Sequence, residues 1–190
     1  MRLEKTKWLW STLAVLFVAG IASPALAGPP FLCHPFEIGT ARSLPWENSA
    51  DFWRGRADYN VDRLVDDTMA LLTPDMPVLV RMETLRRATM YALRDKTVAA
   101  SLIDAVKGRA EQRERLGRPD PLAWFDAGYL AEAYREVREL AYMKPVAHLA
   151  HAVDGLVQPD DGRALIRKAQ TLRPADPSIN RAASLLGGSE

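Results

Sequence analysis

Two clusters in this chain hold side chains that can ligate a metal or act as a nucleophile. Cys33-His34-Pro35 sets a thiol beside an imidazole on a proline-bent segment. Such a pair offers ligands to Cu or Zn, or lets the imidazole activate a thiolate. His148, His151 and Asp154 follow at intervals of three on a predicted helix, a staircase of imidazole and carboxylate ligands. A metal- or thiol-dependent envelope factor would use Cys33 and His34, with His148 and His151 as supplementary ligands. Each reading has a structural alternative. Adjacent residues rarely point the same way, and a nucleophile needs a base within reach of the sulfur and an oxyanion donor opposite, neither of which spacing supplies. Burial of Phe31, Leu32, Cys33 and Phe36 is the alternative role of that segment. At about 100° per residue, a buried face centred on Val146, Leu149, Ala150, Val153 and Val157 turns both histidines toward solvent.

Other chemistry leaves no local trace. The sequence contains no Gly-x-Ser-x-Gly elbow, Gly-rich phosphate loop, His-Glu-x-x-His pair or Cys-x-x-Cys, so no catalytic residue and no cofactor is expected from motifs. Cys33 is the single cysteine, which excludes an internal disulfide and leaves stability to packing. Arg86, Arg87 and Arg94 lie on one predicted helix as a candidate surface for an acidic partner, or as a solvated face paired with Glu83 and Asp95. Trp46, Trp53 and Trp124 are core residues or a ligand platform.

The compartment is written at the start of the chain. Arg2, Lys5 and Lys7 give a basic beginning, residues 9–22 are almost wholly apolar, and Ser23-Pro24-Ala25-Leu26-Ala27 supplies an Ala-x-Ala end, the order of a cleavable export signal. Cleavage after Ala27 leaves a periplasmic or secreted protein with no stable membrane association. An uncleaved anchor over residues 8–27 is the competing expectation, since that run approaches the roughly 20 residues that span a bilayer. Pro24 interrupts the helix such an anchor needs. Taking three basic residues and Glu4 with the leader from totals of 25 and 24 leaves 22 against 23. That near-neutral balance gives no field to draw in nucleic acid or an anionic membrane.

Residues 28–48 carry Pro29, Pro30, Pro35 and Pro45 among Phe31, Leu32, Phe36, Ile38, Leu44 and Trp46. Proline excludes helix and central strand, yet the segment is too apolar for a solvated tail. It reads as an extended arm lying against the domain. From there the apolar period becomes about 3.6, in stripes starting at Val61, Met82, Ala99 and Leu122, with no useful strand alternation. Thr73-Pro74, Asp120-Pro121 and Asp176-Pro177 each set an N-cap before a first-turn proline, with weaker caps at Asn48 with Asp51 and at Asp160 or Asp161. The expectation is a single all-α domain over residues 49–190, a helical-hairpin array or α-solenoid-like bundle of about six or seven helices.

Residues 143–176 read as two helices of about a dozen residues joined at Gln158-Pro159-Asp160 and stopped at Pro174. Through Val146, Leu149, Ala150 and Val153 in the first, Ile166 and Ala169 in the second, and Leu172 with Pro174 at the exit, the segment resembles one tetratricopeptide repeat. Val146 and Val153 stand where that family carries aromatics, and Gly162 where Ala is usual. Trp124, Ala127, Gly128 and Ala131 resemble the opening of a second repeat, which the long helix then fails to complete. The resemblance implies a concave face holding a peptide or protein. The expected function is therefore a protein or peptide interaction or scaffold module, with Trp124, Tyr129 and Tyr134 as candidate partner-binding residues.

Overall fold

The computed structural model describes residues 31–47 and 55–186. The expected export signal, the first three residues of the arm, Trp53 and the cap offered by Asn48 and Asp51 lie outside the described residues. Among those described, the fold is all-α with no strand, and no helix is long and apolar enough to cross a membrane.

Seven α-helical elements follow the arm: α1 (Leu64–Leu71), α2 (Val78–Ala92), α3 (Lys96–Arg115), α4 (Pro121–Glu139), α5 (Lys144–Ala147, a single turn), α6 (Asp161–Leu172) and α7 (Pro177–Leu186). Side-chain caps set three of the starts. Asp95 accepts the amides of Thr97 and Val98 to open α3, Asp120 those of Leu122 and Ala123 at α4, and Asp176 those of Ser178 and Ile179 at α7. Each satisfies donors that the first helical turn cannot. At the Asp160–Asp161 site, Asp160 makes no side-chain cap bond, and Asp161 instead accepts the amide of Gln158 (2.9 Å).

The start expected at Thr73-Pro74 is displaced. Those residues form a turn in which the Met76 amide reaches the Thr73 carbonyl (3.2 Å), with Pro74 in the second position that its fixed φ favours. The helix then opens after a second proline, Pro77. Arg81 reaches back to bond the Thr73 carbonyl and the Met76 carbonyl (3.2 Å).

Helix α4 forms the axis of the domain, buried on nearly every side. Its small residues Ala123, Ala127, Gly128, Ala131 and Ala133 explain why neighbours can surround it. Against α6 the approach is closest. A Cβ built on Gly128 would stand 2.8 Å from the Gly162 carbonyl oxygen and 2.9 Å from the Ile166 nitrogen. One on Gly162 would stand 2.8 Å from the Glu132 nitrogen. Backbone cannot yield as a side chain does, so glycine is required on both sides of this crossing.

The dozen-residue helix expected after Met143 is replaced by short pieces. Residues 144–147 form α5, and Ala150–Val153 a 3₁₀ turn. Bonds from Leu149 to Val146 (2.8 Å) and from Ala152 to Leu149 (3.0 Å) show the tighter i→i−3 winding, which is used in short runs. This segment covers the α3–α4 face with Val146, Ala152 and Val153 buried, and it leaves α4 as the close neighbour of α6. The second helix of the expected pair and its exit stand where the sequence puts them.

Candidate functional site

The arm is the part of this fold held by the most unusual chemistry. Leu32 and Leu44 are buried, and Phe31, Phe36, Ile38 and Trp46 are half-buried. The Phe31 ring lies 5.1 Å from that of Tyr129. Trp46 packs edge-on to Tyr91 and beneath the guanidinium of Arg86 at 4.9 Å. Apart from two short turns, the arm has no regular structure in which its main-chain groups could pair with one another. Buried side chains of α2 and α4 meet them instead.

Glu136 of α4 takes the Phe31 amide on one carboxylate oxygen (3.0 Å) and the Leu32 amide on the other (2.9 Å). On α2, Glu83 accepts the Phe36 amide (3.0 Å). Arg86 donates to the Leu32 carbonyl (3.3 Å), Arg87 to the Leu44 carbonyl (2.8 Å) and Tyr91 to the Pro45 carbonyl (2.5 Å). Ser43 and Thr84 share a hydroxyl bond (2.8 Å). Glu83, Arg87 and Tyr91 recur at intervals of four, so one line along α2 runs beside the arm.

The charges beneath the arm are paired within α2. Glu83 meets Arg86 through two bonds of 2.8 and 2.9 Å and Arg87 through one of 2.7 Å. Burial pushes the Glu83 carboxyl up, but the bonds and charge of Arg86 and then Arg87 outweigh it and hold the group below the ordinary carboxylate range. Glu136 behaves oppositely. Burial dominates over the two amides and Arg135, and its pKa is pushed up to about 7. The Cys33 thiol, half-buried in the same place, is raised by burial and by Glu136, with Arg86 opposing.

One group here is left unsatisfied. The Tyr129 hydroxyl, fully buried, has no hydrogen-bond partner, although Arg86, Glu83 and Glu136 act on it electrostatically. An unpaired buried hydroxyl costs about 1–3 kcal/mol, and this one belongs to the ring on which Phe31 packs.

The residues singled out in the sequence are placed differently. Tyr129 and Tyr134 are fully buried and Trp124 is 4% exposed, so none presents a surface to a partner. Tyr134 donates to the Ala99 carbonyl of α3 (2.9 Å), and Trp124 lies under the Lys168 ammonium (3.8 Å). The three candidate binding residues lie on the sides of α4 that its neighbours enclose. Arg86 and Arg87 are inside, on the arm and Glu83, rather than on a surface for an acidic partner. Arg94 bonds the Arg56 carbonyl (3.0 Å).

His148 and His151 are both exposed, but on separate short turns rather than on the continuous helix that their spacing predicts. His151 lines a groove of about 520 Å³ with Arg135, Arg138 and Asp154. Cys33 and His34 lie on the arm, with His34 exposed. Among the described residues no three His, Cys, Asp or Glu side chains gather as metal ligands. Glu83 pairs with the arginines as the sequence suggests, but buried rather than on a solvated face; Glu136 escaped sequence reasoning, as did the buried Asp126, which is ion-paired with Arg81 (2.6 Å) and with Arg109. Their signal was available. A helix as apolar and small-residued as α4 must be central, so an acid in its middle, such as Asp126 or Glu136, is buried and needs a partner.

No protein-family profile matches this chain, and comparison with curated proteins and with solved structures finds no similar protein.

Proposed function

We propose that this is an exported bacterial interaction or scaffold protein of the periplasm, whose helical domain holds an extended polypeptide segment. The observation that carries the reading is the recognition of the arm's main chain by Glu83, Arg86, Arg87 and Tyr91 of α2 and by Glu136 of α4. Helices that meet a peptide's amides and carbonyls with buried side chains supply affinity, while pockets for its larger side chains supply choice. In this reading the close approach of Gly128 and Gly162 stacks α6 on α4 and stiffens the frame. The leader over residues 1–27 provides export.

The test is a peptide of residues 31–47, carrying Ser at position 33 and a fluorophore. It is titrated against the full chain in which Leu32→Ser and Leu44→Ser loosen the resident arm. Saturable anisotropy that disappears on adding Arg86→Met is the expected result. A folded variant, judged by helical circular dichroism, that leaves the peptide free would refute the reading.

A further inference from the structure

The structure differs in three respects from a seat made only to anchor its own tail. The ion network under the arm is complete without it, because Glu83, Arg86 and Arg87 all belong to α2 and pair at i, i+3 and i, i+4 spacings. Removing the arm would therefore strand no charge on α2, and the recognition surface is organised in advance, which lowers the cost of binding a second segment. The apolar anchoring is modest, since among the described arm residues only Leu32 and Leu44 are fully enclosed. Finally, the Tyr129 ring on which Phe31 packs carries a fully buried hydroxyl without a hydrogen-bond partner.

We infer that the arm is an internal stand-in for a partner segment. The ligand of the α2–α4 seat is an extended peptide bearing adjacent aromatic and leucine residues, an aromatic residue about five positions on and a further leucine, and it binds by displacing residues 31–47. This rests on the peptide-holding reading above and adds the class of ligand and the competition. At its leading position the seat disfavours an acidic side chain, because Glu136 sets its carboxylate at the Phe31 and Leu32 amides. It favours a leading aromatic because Tyr129 supplies a ring to pack on.

Cys33 gives a readout on the natural chain. It is half-buried within the seated arm, so its alkylation by iodoacetamide reports arm opening. The unlabelled peptide of residues 31–47 with Ser at position 33 is added to wild-type full chain up to millimolar levels, because a tethered arm competes at about millimolar effective concentration. The expected result is a saturable rise of about ten-fold in alkylation rate, equivalent to roughly 1.4 kcal/mol of lost protection. A scrambled peptide and a peptide with Asp in place of Phe31 leave the rate unchanged.

An unchanged rate with the arm-sequence peptide overturns the displacement. If the arm-loosened variant still binds the labelled peptide in that case, the peptide-holding reading stands and only the competition falls. If neither protein responds, both fall. A rise produced equally by the scrambled peptide also overturns the proposal, because the ligand class would then carry no information.

Discussion

Glu136→Gln is the sharpest probe of the arm seat, because it separates the charge of that side chain from its shape. The folded-state pKa near 7 stands against an ordinary value of 4.5, so the folded protein holds this proton more tightly than the unfolded chain does. The associated stability is fully present below about pH 4.5 and is lost as the pH rises through 7. A shift of this size corresponds to about 3 kcal/mol at 1.36 kcal/mol per unit, an upper figure, since arm opening readmits water. Glutamine is neutral at every pH but keeps only one acceptor oxygen for the two arm amides. It should therefore fall below wild type by about 1 kcal/mol at pH 4.5 and exceed it in unfolding free energy by up to about 2 kcal/mol at pH 8.

The groups facing Glu136 also bear on the profile: Arg86 and Glu83 from α2, Cys33 from the arm, and Tyr129, Arg135 and Glu139 from α4. Subtracting the variant's curve from wild type at each pH removes their common contribution. Urea unfolding followed by circular dichroism from pH 4.5 to 8 is the assay. A difference that stays flat, or glutamine that destabilises at pH 8, refutes the argument and makes the carboxylate the form that the arm requires.

Tyr129→Phe removes a hydroxyl that has no partner and should leave the urea midpoint unchanged or raise it by up to about 1 kcal/mol equivalent. Tyr134→Phe loses a bond to the Ala99 carbonyl and should lower stability by about 1 kcal/mol; equal effects from the two variants would contradict both assignments. Gly128→Ala sets a methyl group 2.8 Å from the Gly162 carbonyl oxygen. It should cost roughly 1–3 kcal/mol from overpacking despite the better helix propensity of alanine, and a thermal midpoint at or above wild type would rule out the close crossing. Arg81→Met takes from buried Asp126 one of its two cations, with an expected loss of roughly 3–5 kcal/mol that Asp126→Leu in the same chain partly restores, both measured by urea unfolding.

The legible parts of the fold are those written locally. Asp120-Pro121 and Asp176-Pro177 carry both a cap acceptor and a proline suited to the first turn, and helices open at both. Thr73-Pro74 carries the same two letters and opens nothing, because a second proline three residues later offers a competing start, while Arg81 is placed to hold the intervening turn. The segment after Met143 has a helical period but winds mostly as 3₁₀, since its role is to cover the α3–α4 face rather than to pair with α6. That assignment depends on Gly128 and Gly162 admitting α6 directly onto α4, a long-range fact with no expression in the local pattern.

The site was half legible for a similar reason. The arm's composition predicts that it packs on the domain, but the groups that hold it were read as a solvated arginine face. The two observations are linked by a single requirement. A chain segment without helix or strand still carries main-chain donors and acceptors that must be met once buried. Pro35 and Pro45 remove two of the donors; Phe31, Leu32 and Phe36 keep theirs and require acceptors, and Leu32, Leu44 and Pro45 present carbonyls. Acids and cations buried on α2 and α4 are what such a segment demands, so Glu83, Arg86, Arg87 and Glu136 could have been inferred from the arm itself. The converse also follows. Helices carrying that set are complementary to main chain, and in the reading proposed above the choice among segments rests on the side chains, through the Tyr129 ring that meets Phe31 and the enclosures of Leu32 and Leu44.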